Sequence, residues 1–366
     1  MKVKLSDLRI KQHLMTAISY LIPIVVGAGF MLAIGNIGGG SQINNFTNGF
    51  GFFDTLTTMG ALVLGLLPMV ISTGISFSIA DKPGIAPGMV IGLAAINIQA
   101  GFFGGLIGGF FAGWISKVTT EKLKVPFWAE GLKPMLLIPL ISSVISGIFM
   151  YFVLGKPVAS ATLALTNYIS SLDASNLLLY GAIIGILSSI DYGGPVNKVV
   201  FAFVLSLQTE GIYEPITVLM LASMVTPFGF TMAYFFQKIF RKNIYTKNEV
   251  ETLKTAFPMG VVMITEGCYP IILNDVIRSV ISTGIGGAVG GALSMLWGAD
   301  SRVPHGGLLA MVTMERPLAF LTALLIGSLA TGIVFFILKK PVSRDQDTSG
   351  NDDQELDIDL SSIRIS

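Results

Sequence analysis

Three short strings of polar and helix-breaking residues carry the chemistry of this chain. They are Asp191-Tyr-Gly-Gly-Pro-Val-Asn-Lys198, Thr265-Glu-Gly-Cys-Tyr-Pro270 and Val303-Pro-His-Gly-Gly307, each set among apolar stretches in a chain only 12% charged. An ionisable side chain held in hydrocarbon costs about 2.5–3.5 kcal/mol on insertion scales, so one kept there marks a pathway or a binding site. In the first string Gly193, Gly194 and Pro195 must interrupt regular helix, since Gly is entropically costly there and Pro lacks an amide donor. Pro195 is suited to open a new half-helix. Its exposed amides would favour oxygen-rich or anionic groups, and the carbonyls before it can accept hydroxyl protons. Asp191, Asn197 and Lys198 then supply an acceptor, a mixed donor and acceptor, and a donor. An Asp191–Lys198 ion pair that only closes the break is the bland alternative; Tyr192 either offers its ring face to a ligand or packs.

The second string puts Glu266 beside Thr265 where both flanks are apolar, and Gly267 and Pro270 suggest a turn at a hairpin tip. A buried carboxylate must be paired, hydrogen-bonded or protonated. Polyhydroxyl substrate is a natural partner because both carboxylate oxygens accept; a structural cap or ion pair is the competing role. His305 is one of only two histidines, and either contacts ligand or is a hydrogen-bonded structural residue. Cys268, the single cysteine, lacks the cationic surroundings of a reactive thiolate and excludes an intrachain disulfide. No metal-ligand cluster, P-loop, dinucleotide or serine-nucleophile pattern occurs, so no cofactor or metal is expected.

The elements that must position these strings are membrane helices. The chain is 52% hydrophobic, and stretches such as 14–53, 55–80, 83–116, 215–237 and 317–338 contain no Asp, Glu, Lys or Arg. An all-α integral membrane protein is expected, with about ten helices of roughly 20 residues. Shorter charge-free pieces, including 174–190 and 255–265, cannot all span alone, and two re-entrant hairpins are expected among them. Lys and Arg gather at the N-terminus, at 117–133, at 238–254 and at Lys339, Lys340 and Arg344, which the positive-inside rule places, with both termini, in the cytoplasm. That orientation accounts for the basic residues, and a net charge of +1 gives no reason to expect a nucleic-acid partner.

Four regions are expected along the chain: an amphipathic interfacial leader over 1–13, N-terminal helices over 14–173, a block over 174–342 holding the three strings, and a disordered acidic tail over 343–366. The glycines at 104, 105, 108 and 109 have the three- and four-residue spacing that lets membrane helices approach closely, and 284–291 repeats it. Ser78-Ile-Ala-Asp-Lys-Pro-Gly84 faintly echoes Ser189-Ile-Asp-Tyr-Gly-Gly-Pro195, as an internal repeat would.

The combination of His13-Leu-Met-Thr-Ala-Ile-Ser-Tyr-Leu-Ile-Pro23, Ser78-Ile-Ala-Asp-Lys-Pro-Gly-Ile-Ala-Pro-Gly88, Gly155-Lys-Pro-Val158, Gly193-Gly-Pro-Val-Asn-Lys198, Ile264-Thr-Glu-Gly267 and Pro304-His-Gly-Gly307 resembles the membrane component, domain IIC, of bacterial phosphoenolpyruvate-dependent sugar phosphotransferase systems, in their fructose and mannosyl-glycerate family. The resemblance covers nearly all of residues 10–340. It implies a domain that binds external sugar and presents it to a cytoplasmic IIB partner, which carries a phosphocysteine charged from IIA and traps the sugar by phosphorylation. It also implies a homodimer with a helical scaffold, a mobile sugar-binding core and two re-entrant hairpins. The implied sugar site comprises Glu266, Thr265, His305 and the string containing Asp191, Tyr192, Gly193, Gly194, Asn197 and Lys198. Tyr192 stands where the family has methionine, and Cys268-Tyr269 where it has a small apolar pair, which leaves the sugar open. An ion-coupled secondary transporter, with Asp191 and Glu266 titrating, is the rival reading; a non-transporting scaffold leaves the three strings unexplained.

Overall fold

The computed structural model describes residues 9–47 and 49–342; the expected tail over 343–366 and most of the leader lie outside them. The described residues are helical with no strand. The helix α1 covers Ile10–Ile37, so residues 10–13 form its first turn, and the His13 ring bonds the Ser78 hydroxyl at 2.8 Å. Then follow α2 (Phe52–Gly65), α3 (Leu67–Ala80), α4 (Ile85–Asn97), α5 (Gly101–Lys122), α6 (Ile138–Phe149) and α7 (Gly155–Ser170). The second half holds α8 (Ala174–Ser189), α9 (Pro195–Thr209), α10 (Glu214–Phe240), α11 (Lys247–Val261), α12 (Tyr269–Asn274), α13 (Val276–Leu296) and α14 (Pro317–Leu338).

Among the described residues, six continuous helical stretches are long and apolar enough to cross a membrane, and α2 with α3, bent by 50°, adds a seventh if the pair is one span. The shorter helices α4, α8, α9 and α11 have 13 to 16 residues, and α11 carries four charged side chains in its first half. The expectation of about ten spans therefore depends on how these short helices are counted. Large apolar side chains remain outside, Phe127 at 89% and Phe152 at 83% exposed, as a surface facing lipid or its interface requires.

The helix α10 runs through the middle: 83% of its most apolar window is buried, against 22% for the peripheral stretch Lys133–Ile169. One side of the bundle packs α3 between α1, α4 and α5, and the other packs α13 between α8, α10 and α14. One continuous core joins both, holding Ile18, Leu21, Ile71 and Ile75 together with residues of α9, α10 and α14.

Glycine permits these close approaches. In α5, a Cβ at Gly105 would collide with the Pro68 carbonyl, and one at Gly109 would lie 2.7 Å from Ser72 Cα. The 101–113 run is thus consumed by packing inside the chain and leaves no glycine groove for a second copy. In α13, Gly287 and Gly291 seat against the carbonyl side of Gly185 and Gly181 in α8, while Gly286 faces Thr331 of α14.

Candidate substrate site

The chain breaks between α8 and α9 for local reasons. Tyr192 and Gly193 have left-handed backbone, φ 51° and 90°, and Pro195 opens α9 with the φ its ring prefers. The Asp191 carboxylate folds back over the new helix, accepting the amides of Val196 at 2.6 Å and Asn197 at 3.1 Å. A side chain at Gly194 would sit 2.9 Å from Asp191. Asp191 is therefore the cap of α9, and no Asp191–Lys198 ion pair forms. The half-buried Lys198 instead donates to the Ser19 hydroxyl of α1 at 3.3 Å, and the Asn197 side chain donates to the Ser188 carbonyl at 2.7 Å.

Tyr192 packs within the chain. It is buried, its hydroxyl paired with the Thr283 hydroxyl at 3.0 Å, and its own carbonyl accepts the Tyr269 hydroxyl at 2.9 Å. Tyr269 thereby ties the first string to the second, an attachment that was visible only as a hydroxyl of no assigned role.

The second string forms a tip. After α11 the chain turns through Met263, φ 70°, into a single 3-10 turn, Glu266–Cys268, and returns as α12. Thr265 and Cys268 are buried, while the Glu266 side chain is exposed and points to the first string, 3.4 Å from where a Gly193 Cβ would stand. A Cβ there would make only ordinary contact with the carboxylate, and it is the backbone φ of 90° that favours glycine at 193. Among the described residues Glu266 has no hydrogen-bond or ion-pair partner, unlike Asp191, which caps α9, and Glu249, which meets Lys339 at 2.6 Å.

The third string lies against both α1 and the second. A Cβ at Gly307 would collide with the Val261 carbonyl, so the Pro304–Gly307 turn rests on the end of α11, just before the Glu266 tip. The His305 carbonyl lies 3.3 Å from a Cβ at Gly29 of α1, and the His305 ring stands 6.3 Å from the Phe30 ring. Among the described residues, His305 Nδ1 is buried without a protein partner. The first and second strings thus meet at Gly193 and Glu266, the third seats against α1 and the end of α11, and among the described residues one carboxylate and one imidazole nitrogen have no protein partner. The chemistry of these two groups is that of hydroxyl partners: a carboxylate accepts, and an imidazole accepts or donates according to its tautomer. The described residues contain no group of His, Cys, Asp and Glu suited to a metal ion.

This convergence of broken helices at a polar point is that of a membrane transport component. Residues 15–277 match the family model for the phosphotransferase system EIIC, and the chain belongs to that family. It is a multi-pass inner-membrane protein. The chain is 37% identical over 343 residues to the "PTS system fructose-specific EIIABC component" of Bacillus subtilis, covering 91% of this chain and 52% of that protein. It is 40% identical to the "Fructose permease IIC component" of Bacillus amyloliquefaciens, covering 76% and 90%, and 32% identical to the "PTS system fructose-specific EIIC component" of Haloferax volcanii, covering 94% and 96%. The chain thus spans about half the length of the multi-component relative and nearly all of the single-component ones. Its fold matches that of the transporter ChbC, the IIC component of an N,N'-diacetylchitobiose-specific system, with TM-score 0.54 at 14% identity over 90% of this chain and 92% of that one.

Proposed function

We propose that this chain is the sugar-translocating IIC subunit of a phosphotransferase system, with fructose as the sugar. Glu266 holds sugar hydroxyls directly, His305 and Lys198 add a second and third contact, and the Gly193-Gly194 backbone leaves the space the sugar ring needs. Asp191 and Tyr192 serve by holding the α8–α9 break in shape. The observation that carries this reading is the exposed Glu266 carboxylate facing Gly193 with no protein partner. An open, unpaired carboxylate at a helix break is free to accept hydroxyl protons from a polar ligand.

In this reading both termini and the four basic clusters face the cytoplasm, α8–α9 and α11–α12 are re-entrant hairpins, and the second-half block moves against an N-terminal scaffold. A separate cytoplasmic IIB protein, charged by IIA, supplies the phosphoryl group. The names of relatives that combine EIIB with EIIC in one polypeptide support that pairing. Dimerisation rests on family resemblance alone, since the 101–113 glycines are used within the chain.

The test is uptake of labelled fructose by vesicles containing the full chain, supplied with phosphoenolpyruvate and the soluble phosphotransferase proteins or with an ion gradient alone. Fructose phosphate accumulating only in the first case is expected; free fructose accumulating under a gradient would overturn the reading. In purified protein, Glu266→Gln should weaken fructose binding about tenfold or more, the value of a hydrogen bond to a charged group.

A further inference from the structure

A second chamber, with apolar and polar side chains in its walls, lies at the far end of α9. Its volume is about 890 Å³, within the roughly 300–1,000 Å³ of small-molecule sites. It is walled by the α2–α3 bend, the α4–α5 turn, α7, the α9–α10 connection and Arg302. The 15 residues of α9 separate it from the break at Pro195, about 22 Å at 1.5 Å per residue. Two continuous segments nonetheless connect chamber and site: α9 itself, and the stretch from Arg302 to His305.

The chamber is built around Glu210. The turn before α5 places Gly101 at φ 57° so that the Glu210 carboxylate occupies the space a Cβ would fill. Glu210 is half-buried, burial pushes its carboxyl up from the usual range, and among the described residues it has no hydrogen-bond or ion-pair partner. Arg302, in the same wall, is already committed: it pairs with Glu315 and, at 3.4 Å, with Asp300, and its guanidinium lies 4.3 Å from the centre of the Tyr213 ring. The Gln208 side-chain amide donates to the Ser301 carbonyl at 3.3 Å. Gln99 completes the polar wall. An anion would meet Glu210 and a cation would meet Arg302. A neutral ligand rich in hydroxyls suits carboxylate, carboxamides and guanidinium together.

We propose that this chamber is a second sugar site, a vestibule that binds the neutral polyol before it reaches Glu266. The proposal rests on the transport reading above. Glu210 is its principal acceptor and Gly101 the residue that makes room for that carboxylate.

The full chain in vesicles with phosphoenolpyruvate and the soluble partners provides the test. Glu210→Ala should raise KM for external fructose about five- to tenfold with kcat unchanged. A direct measurement uses Thr209→Cys, an exposed position in the chamber wall, because the native Cys268 is fully buried. Fructose should slow its reaction with a membrane-impermeant maleimide several-fold, and should still do so when Glu266→Ala disables the inner site. Fructose 1-phosphate should not protect. An unchanged KM and unprotected Thr209→Cys, in a chain that still phosphorylates fructose, would sink the vestibule while leaving the transport reading intact. A chamber closed to the maleimide without fructose would also sink it, because lipid or a second copy would then fill the space. A parent chain that neither phosphorylates nor takes up fructose removes both.

Discussion

The Tyr269 hydroxyl donates to the Tyr192 carbonyl at 2.9 Å, and this bond joins the tips of two helical hairpins that are 77 residues apart in sequence. The tip that bears Glu266 is thereby held against the tip that bears Gly193. Removing the hydroxyl frees one carbonyl and lets the tips separate. Tyr269→Phe should weaken fructose binding about two- to tenfold, the span of a single neutral hydrogen bond, with the melting temperature little changed. Calorimetry on purified protein reads the first quantity and a thermal scan the second. Parental affinity would show that the site does not depend on this tie.

His305 should affect binding more than folding. Its Nδ1 has no protein partner to lose. His305→Gln, which keeps a polar group near the same place, should weaken fructose binding about tenfold and leave thermal stability near the parent's. A large loss of stability with normal affinity would make His305 a structural residue.

The ion pair between Lys339 Nζ and Glu249 Oε1, at 2.6 Å with side chains 8% and 2% exposed, fastens the end of α14 to the start of α11. Glu249 also accepts the Thr246 amide and the Asn274 side chain, so the pair anchors both legs of the hairpin that carries Glu266. Lys339→Met leaves that carboxylate buried and uncompensated, which should cost about 3–5 kcal/mol. Adding Glu249→Gln should recover much of it. Chemical unfolding of the single and double variants in detergent measures the difference, and additive losses would show that the pair is not coupled.

Glycines of equal helical setting should respond oppositely to a methyl group. At Gly185 a Cβ collides with the Gly287 carbonyl, whereas at Gly27 in α1 nothing lies within 4 Å. Gly185→Ala should force α8 away from α13 and lower the yield of folded protein. Gly27→Ala should be neutral or stabilise by up to about 1 kcal/mol, the helix-propensity difference. Size-exclusion profiles and thermal scans of the two variants check this; a tolerated Gly185→Ala would mean that α8 has slack the structure does not suggest.

The membrane class and the three interruptions were legible because they are written in local chemistry, charge-free runs broken by Gly, Pro and a few ionisable residues. The faint likeness of residues 78–84 to 189–195 has a backbone counterpart, with Asp81 at φ 56° and Tyr192 at φ 51°, each shortly before a proline-led helical turn. Less legible was what each polar group faces. Asp191 looked like a ligand acceptor or a partner for Lys198, but its oxygens cap α9 at Val196 and Asn197, a choice set by how tightly the chain turns at Gly193-Gly194. The glycine run of α5 could serve either an intramolecular or an intermolecular contact, and only the position of Pro68 and Ser72 decides for the former. Glu210 carried no signal, because its neighbour Gly101 is remote in sequence and the chamber exists only once the two halves meet.

The capping of α9 has one further consequence. The start of a helix is a ready seat for phosphate, yet here Asp191 already holds the amides of Val196 and Asn197 and brings its own negative charge. Under the proposed function, a phosphorylated sugar would meet Asp191 and Glu266 as like charges at this helix start, with Lys198 the opposing cation, so the carboxylate that shapes the turn also removes one ready seat for the product.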